Sequence, residues 1–236
     1  QKGKCLVIPH HPASYIFPVD WKYHNPEFER IVEIYSMWGS SEMPESDGNT
    51  RPIIRGGGEV SSDFGAHVRH ALKKGKKLGI IAGSDGHDGY AGKTRHHISN
   101  LTEHEGPFYP SGITGVYADE LTREAIWDAL WDRRVYGTTG SKIELKFSIN
   151  GNRMGSEIEV PDGSELLIEA EVFGTSDIQR VEIIKNGRVS ETVKGNSPEF
   201  SLEKTLESRE NGRGHYYLKV VQTDQEMAWS SPIWVE

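Results

Sequence analysis

The chain has 236 residues with a formal net charge of −8, and hydrophobic residues make up 35% of it. This length allows one large domain or two small ones, at roughly 150 residues per domain. No apolar run approaches the 18 or so residues of a membrane-spanning helix, and the apolar stretch within residues 1–8 is too short for a signal peptide. The single cysteine, Cys5, excludes an intrachain disulfide scaffold.

Charge and histidine are distributed unevenly along the chain. Residues 1–142 contain 17 basic and 18 acidic residues, whereas residues 143–236 contain 10 basic and 17 acidic ones. Nine of the ten histidines lie in the first part. An acidic chain without a basic stripe is a poor non-specific binder of nucleic acids, because phosphate contacts need clustered lysine and arginine. The histidines direct the search for chemistry to the N-terminal part.

The N-terminal part alternates short apolar runs with helical patterns. Residues 5–8, 31–35 and 78–82 are short and almost wholly apolar, as is typical of parallel strands covered on both faces. Residues 61–74 and 122–134 have apolar positions at helical spacing and predict helices. This alternation of strand and helix indicates an α/β layout for residues 1–140.

The pattern changes near Gly140. Short strands are predicted at 143–149, 166–172, 181–184, 199–206, 216–222 and 233–235. Asn150-Gly151 and Asn186-Gly187 are signals for tight hairpin turns. Such a series predicts a small antiparallel β-sandwich over residues 141–236.

Polar residues that can bind metal follow each of the three N-terminal runs. His10 and His11 follow the first, Glu33 and Ser36 lie in or after the second, and Asp85 and His87 follow the third. In barrels of parallel strands the active site lies at the C-terminal ends of the strands. Asp85 and His87 are two residues apart, so in an extended backbone their side chains point the same way and can share a transition-metal ion. A carboxylate such as Glu33 inside an apolar strand requires a cation or a hydrogen-bonding partner.

These residues also have plainer interpretations. Asp-Gly is a common turn, and two histidines after a strand can be an ordinary polar pair of a loop. Three further residues of the long loop after Asp85 are candidates for gripping an anionic substrate group, although a solvated polar loop explains them equally well: Arg95, His96 and His97.

Four segments together resemble the C-terminal half of PHP (polymerase and histidinol phosphatase) domains, in particular a branch of large PHP-like proteins. They are residues 8–12, 32–36, 83–87 and 133–140, and residues 228–235 resemble a later segment of that branch. The resemblance implies a partial distorted (β/α)7 barrel that binds two or three divalent ions (Zn, Mn or Fe) and hydrolyses phosphoesters. It implies that His10 or His11, Asp85 and His87 are metal ligands and that Glu33 lies at the edge of the site.

PHP domains begin with a His-x-His on the first strand, which this chain lacks near its start. The expectation is therefore a C-terminal part of a metal-dependent phosphoesterase acting on a small anionic or phosphorylated substrate, with the N-terminal half of the same protein supplying the missing ligands. Two other functions stay open. One is a non-catalytic module that binds a glycan or a protein on a degenerate barrel, and the other is a metal-dependent amide or ester hydrolase, since fold does not determine chemistry.

Overall fold

The computed structural model describes residues 5–54, 57–95, 108–161, 163–207 and 214–236. Its two α-helices are α1 (Val68–Lys73) and α2 (Arg123–Trp131). Its strands are β1 (Ile31–Ser36), β2 (Gly39–Ser40), β3 (Gly79–Ala82), β4 (Ile113–Val116), β5 (Val135–Thr138), β6 (Glu144–Ile149), β7 (Asn152–Arg153), β8 (Glu157–Ile158), β9 (Glu165–Phe173), β10 (Ile178–Lys185), β11 (Arg188–Lys194), β12 (Glu199–Glu207), β13 (Gly214–Gln222), β14 (Met227–Ser230) and β15 (Ile233–Val235). Among these residues, neither helix has the length and apolar character needed to cross a membrane.

The first layer is a three-stranded sheet in the order β2-β1-β3. Strand β1 pairs with β3 in parallel and with β2 antiparallel. Every residue of β1 is buried, as its apolar sequence predicts. Helix α1 contributes Val68, Ala71 and Leu72 to the hydrophobic core that also contains apolar residues of β1. Because β1 and β3 are parallel neighbours, their C-terminal ends lie at the same edge of this sheet.

The central layer is an eight-stranded sheet that contains β11-β10-β13-β14-β5-β4, with β15 beside β13 and β8 beside β15. Its strand β13 is buried on both faces. Tyr216, Leu218 and Val220 belong to one hydrophobic core, whereas Tyr217 and Val221 belong to the other. The central sheet is therefore covered on both sides, by the first layer and by a third.

The third layer is a four-stranded antiparallel sheet in the order β12-β9-β6-β7. Burial alternates along β6, with Leu145, Phe147 and Ile149 inside and the residues between them more exposed. This period of two is that of a half-buried strand. Its buried residues pack with those of the central sheet into the larger core.

A buried carboxylate joins the first layer to the central sheet. Glu42 is 0% exposed, and its Oε1 accepts hydrogen bonds from Arg69 Nη2 at 2.7 Å and Tyr217 Oη at 3.0 Å. Its Oε2 accepts from Lys219 Nζ at 2.7 Å and Trp229 Nε1 at 2.9 Å. Burial alone would raise the pKa of Glu42, but the charges of Lys219 and Arg69 outweigh it and lower the pKa to about 2. All four partners donate to one carboxylate, so the negative charge of Glu42 is compensated within the cluster.

The predicted fold class, an α/β partial (β/α)7 barrel, is wrong. Within the described residues, parallel pairing is confined to β1 with β3 and β15 with β8, and the remaining strand pairs are antiparallel. The molecule consists mostly of β-strands in open sheets. The error has a physical cause. The apolar runs at β1 and β3 do form buried parallel strands, but such runs carry no information on how the other strands of the chain pair.

Individual elements differ from their predictions in instructive ways. Residues 5–8, predicted as a buried strand, form no strand, and Val7 and Ile8 are 50% and 41% exposed. The helix predicted at 61–74 is interrupted at Gly65, whose φ of +72° is left-handed, so that only Val68–Lys73 is α-helical. The stretch 133–140 contributes β5, which pairs antiparallel with β14 and β4. The domain boundary near residue 141 stays a prediction, and the central sheet contains strands from both sides of it.

Candidate metal centre

The segment before β1 carries the two histidines to the C-terminal edge of the first sheet. Val7 N donates to Phe28 O at 3.0 Å, and Glu33 N donates to Pro9 O at 3.1 Å. These backbone hydrogen bonds hold residues 7–9 alongside the start of β1. His10 and His11 therefore follow at the level of the Glu33 side chain.

His10 lies between two carboxylates. Its Nδ1 is 2.9 Å from Glu33 Oε1, and its Nε2 is 3.5 Å from Asp85 Oδ1. The side chain of His10 is 47% exposed, whereas that of Glu33 is 10% exposed. His10 thus forms the solvent side of the cluster.

His11 forms the buried side. Its side chain is 1% exposed, and its Nε2 is 2.5 Å from Asp85 Oδ2. Its Nδ1 lies 3.5 Å from both Glu33 Oε1 and Ser36 Oγ. The two imidazole rings have centroids 3.6 Å apart. His11 therefore contacts two residues of β1 and the loop after β3.

Asp85 follows β3 and connects the histidines. Besides its contacts with His10 and His11, its Oδ1 lies 3.4 Å from His87 Nε2. The loop that contains Asp85 is hydrogen-bonded to the residue that follows β1, since Met37 N donates to Ser84 O at 3.3 Å. His87 is 41% exposed at its side chain, and its ring lies 6.0 Å from that of Trp38. The open rim of the cluster consists of His10 and His87.

Two residues of the cluster have left-handed backbones. His11 has a φ of +43° and Asp85 a φ of +50°. Such values are uncommon for residues other than glycine and cost free energy. The other non-glycine residues of the described chain with positive φ are Arg133, Asn150, Asn186 and Gln225, and they lie at hairpins, a turn and a helix end. Two strained residues that contact each other at 2.5 Å point to a functional constraint on this cluster.

The charges of the cluster are strongly coupled. Burial lowers the pKa of His10, but hydrogen bonds and charges from Asp85 and Glu33 outweigh burial and raise the pKa to about 10. Burial raises the pKa of Asp85, but contacts with His10 and His11 dominate and hold it well below its usual range. Asp85 is ionised at neutral pH, and its negative charge favours a cation.

The donor atoms are close enough to converge on one ion. His10, His11 and Glu33 each offer a ligand atom within 4.8 Å of the others. Within the described part of the chain, these three residues are the group of His, Cys, Asp or Glu side chains whose ligand atoms lie this close together. Imidazole nitrogen and carboxylate oxygen are both ligands of divalent transition ions. The chain therefore has a His/Glu cluster that could hold a metal ion.

The remaining predicted site residues fall into two groups. Ser36 is fully buried beside His11, and its Oγ accepts a hydrogen bond from Trp38 N at 3.1 Å. Arg95 is exposed, and His96 and His97 lie outside the described residues. The sequence interpretation missed Trp38, because a tryptophan in an apolar stretch carries no signal that distinguishes a neighbour of the site from the core.

Comparisons with known proteins identify relatives without a described activity. Residues 67–174 match a family described as a protein of unknown function, DUF3604. The chain is 36% identical to an "Uncharacterized protein" of Chlamydia muridarum and 35% identical to one of Chlamydia trachomatis serovar D, over 99% of its length in each case. A protein of Chlamydia pneumoniae is 36% identical over 98% of the chain. The chain spans 38% of the length of each of these relatives.

One solved structure is also similar. It is the CARDB domain of a Pyrococcus furiosus protein in complex with di-metal ions, with 12% identity and a TM-score of 0.25. The match covers 40% of this chain and 93% of that one.

The resemblance to PHP domains is wrong. The family that matches is DUF3604, and no PHP family matches the chain. Together with the absence of a (β/α) barrel, this removes the support that the resemblance gave to the hydrolase, PHP and TIM-like barrel assignments. The cluster at the ends of β1 and β3 has to be judged by its own geometry.

Proposed function

We propose that this chain binds a divalent transition-metal ion through His10, His11, Glu33 and Asp85, with His87 at the rim. The observation that carries the proposal is the convergence of three donor atoms within 4.8 Å, with Asp85 in contact with both His10 and His11. The left-handed backbones of His11 and Asp85 support it, since such strain persists where function requires a fixed geometry.

The imidazoles of the donor set favour zinc or iron, and its two carboxylates also suit manganese. Imidazole suits zinc and iron, whereas sites for magnesium and calcium are built from oxygen ligands. The proposed ligands offer two or three imidazoles beside two carboxylates. Binding must displace the proton from His10, so it is accompanied by proton release.

The open rim supports a role beyond holding an ion in place. His10 and His87 are 47% and 41% exposed, so an ion between them and His11 would keep a coordination position for water or for an anionic ligand. Metal-activated water is a nucleophile at neutral pH, and an ion neutralises a phosphoryl group or a carboxylate. Phosphoester hydrolysis of a small anionic substrate by the longer protein, with further ligands from its N-terminal half, stays a proposal, as do amide or ester hydrolysis and binding of a glycan or a protein.

The test is metal binding by protein prepared without metal. We expect titration calorimetry with Zn²⁺ and with Mn²⁺ to give one or more equivalents bound for the natural chain. Asp85→Asn keeps the size of the side chain but removes its charge, so we expect it to lose the ion. The matched control is Asp88→Asn in the same loop, because Asp88 contacts Lys93 Nζ at 3.3 Å and Tyr90 N at 3.2 Å. Equal binding by all three proteins would contradict the proposal.

The activity is tested on the longer protein with its metal bound. A panel of phosphomonoesters, phosphodiesters, amides and esters separates the two hydrolytic alternatives. A protein that retains the metal and hydrolyses none of them leaves the non-catalytic module as the better proposal.

A further inference from the structure

Gly83 occupies a position whose backbone does not require glycine. It directly follows β3 and lies two residues before Asp85. Its φ lies outside the left-handed region, so φ gives no reason for glycine at this position. At such positions alanine usually stabilises a protein, because it restricts the unfolded chain. We therefore look to the space around Gly83 for the reason that a glycine occupies this position.

The space beside Gly83 is occupied by the Glu33 carboxylate. A Cβ built on Gly83 would lie 2.8 Å from Glu33 Oε2 and 3.7 Å from Glu33 Cδ. The first of these distances is shorter than real Cβ contacts, so an alanine requires one of the two residues to move.

The backbone of Gly83 is held from both sides. Its N donates to Tyr35 O at 3.0 Å, and its O accepts from Gly112 N at 2.9 Å. Tyr35 lies on β1 and Gly112 directly precedes β4, so a shift of the Gly83 backbone would strain hydrogen bonds to two other segments. The collision is therefore relieved by the Glu33 side chain.

Movement of Glu33 would act directly on the proposed ligands. Its Oε1 lies 2.9 Å from His10 Nδ1 and 3.5 Å from His11 Nδ1, while Oε2 faces Gly83. We infer that Gly83 is a positioning residue: because it has no side chain, it leaves room for the Glu33 carboxylate to lie against His10 and His11. The inference rests on the proposed metal site and identifies what sets its geometry.

The test is Gly83→Ala in the full chain. We expect the dissociation constant for Zn²⁺ to rise by about 10- to 100-fold, the range seen when outer-shell partners of metal ligands are changed. We expect the unfolding midpoint to stay within a few degrees of that of the natural chain. Unchanged affinity would overturn the inference, and so would a variant that fails to fold, because the strain would then lie in the backbone.

Gly79→Ala is the matched control. Gly79 lies at the other end of β3, and a Cβ there would lie 2.8 Å from Arg133 Cβ, remote from the site. We expect this variant to lose stability with unchanged metal affinity. A loss of affinity equal to that of Gly83→Ala would mean that any crowding of β3 disturbs the site, and it would contradict the specific role of Gly83.

A double-variant comparison tests the mechanism. Asp at position 33 is one methylene shorter, so its carboxylate does not reach the Cβ of residue 83. In a Glu33→Asp background we therefore expect Gly83→Ala to change metal affinity by less than about twofold, since the two residues are coupled. If the effects of Gly83→Ala and Glu33→Asp on the free energy of metal binding simply add, the inference is overturned.

A metal-free readout separates this inference from the proposed function. In a crystal structure of metal-free Gly83→Ala, we expect the Glu33 Oε1 to His10 Nδ1 distance to exceed 3.5 Å. If the natural chain binds no metal but the distance lengthens, the proposed function fails and the positioning role stands. If the carboxylate stays within 3 Å of His10, the positioning role fails whether or not metal binds.

Discussion

Within the described residues, the cluster around Glu42 and the cluster around Glu33 and Asp85 differ in how their carboxylates are compensated. Glu42 is completely buried and meets a lysine, an arginine, a tyrosine and a tryptophan, all of which donate to it. Glu33 and Asp85 face His10, His11 and His87, and the side chains of His10 and His87 are a little under half exposed. Both clusters hold carboxylates in place, but the Glu42 cluster contains its own permanent cations.

The difference separates a structural ion cluster from a site for a ligand. Arginine and lysine stay charged near neutral pH and cannot bind a metal, whereas imidazole gives up its proton and becomes a ligand. The Glu42 cluster is complete and closed, and it links the first layer to the central sheet. The histidine cluster (His10, His11, Glu33, Asp85 and His87) has an open rim and left-handed backbones at His11 and Asp85, and both features support the proposal that it binds a cation.

The largest expected effect is on stability and arises at Glu42. Glu42→Gln leaves Lys219 and Arg69 buried without a negative charge, so we expect a loss of about 3–5 kcal/mol in the free energy of unfolding. Urea unfolding followed by circular dichroism measures it. A loss below about 1 kcal/mol would show that Glu42 is not needed to neutralise these cations.

The next effect separates the two clusters by their response to metal. A ligand at 100 times its dissociation constant stabilises the folded state by about 2.7 kcal/mol. We expect Zn²⁺ at that excess to raise the stability of the natural chain by this amount and that of Asp85→Asn by nothing measurable. Thermal unfolding with and without metal is the measurement. Equal stabilisation of both proteins would place the ion elsewhere.

A buried histidine outside both clusters gives a pH-dependent effect of similar size. His215 is 4% exposed, and burial, with a smaller contribution from Lys73, lowers its pKa from 6.5 to about 4. As the pH falls below 6.5, the unfolded chain gains a proton that folded His215 takes up only near pH 4, so stability decreases over this range. We expect about 2 kcal/mol of the loss between pH 7 and pH 5 to disappear in His215→Phe. An identical pH profile for the variant would contradict this assignment.

The smallest expected effect is at an exposed ion pair. Lys146 Nζ lies 2.8 Å from Glu171 Oε2, and both side chains are about half exposed. Solvent-exposed pairs contribute little to stability, so we expect Glu171→Gln to leave the urea midpoint unchanged. This variant is the control for Glu42→Gln, since the chemical change is the same. A loss as large as that at Glu42 would mean that burial does not distinguish the two pairs.

The sequence predicted several elements but not their arrangement. Strands at 31–35 and 78–82 are confirmed as Ile31–Ser36 and Gly79–Ala82, because both apolar runs lie in the hydrophobic core. The antiparallel partners of β5 and the three-layer arrangement escaped prediction, since pairing depends on residues far apart in the chain. The apolar run at 5–8 misled the interpretation because four apolar residues can also lie exposed beside an edge.

The site was predictable in part for a related reason. Glu33 lies on β1 and Asp85 follows its parallel neighbour β3, so both carboxylates were expected in the same region of the sheet. His10 and His11 contact them in the structure, but from a segment that forms no strand. The left-handed backbones of His11 and Asp85 could not be predicted, because neither residue type requires them. The role of Gly83 also depends on a contact with another strand, which local sequence does not contain.

The central claim is that the histidine cluster, and not another part of the chain, holds a divalent ion. The most direct measurement is anomalous diffraction from a crystal of the chain grown with Zn²⁺, with data collected on both sides of the zinc edge. We expect an anomalous peak about 2.0–2.2 Å from nitrogen or oxygen atoms of His10, His11, Glu33 or Asp85. A zinc-containing crystal with no peak within ligand distance of these four residues would contradict it.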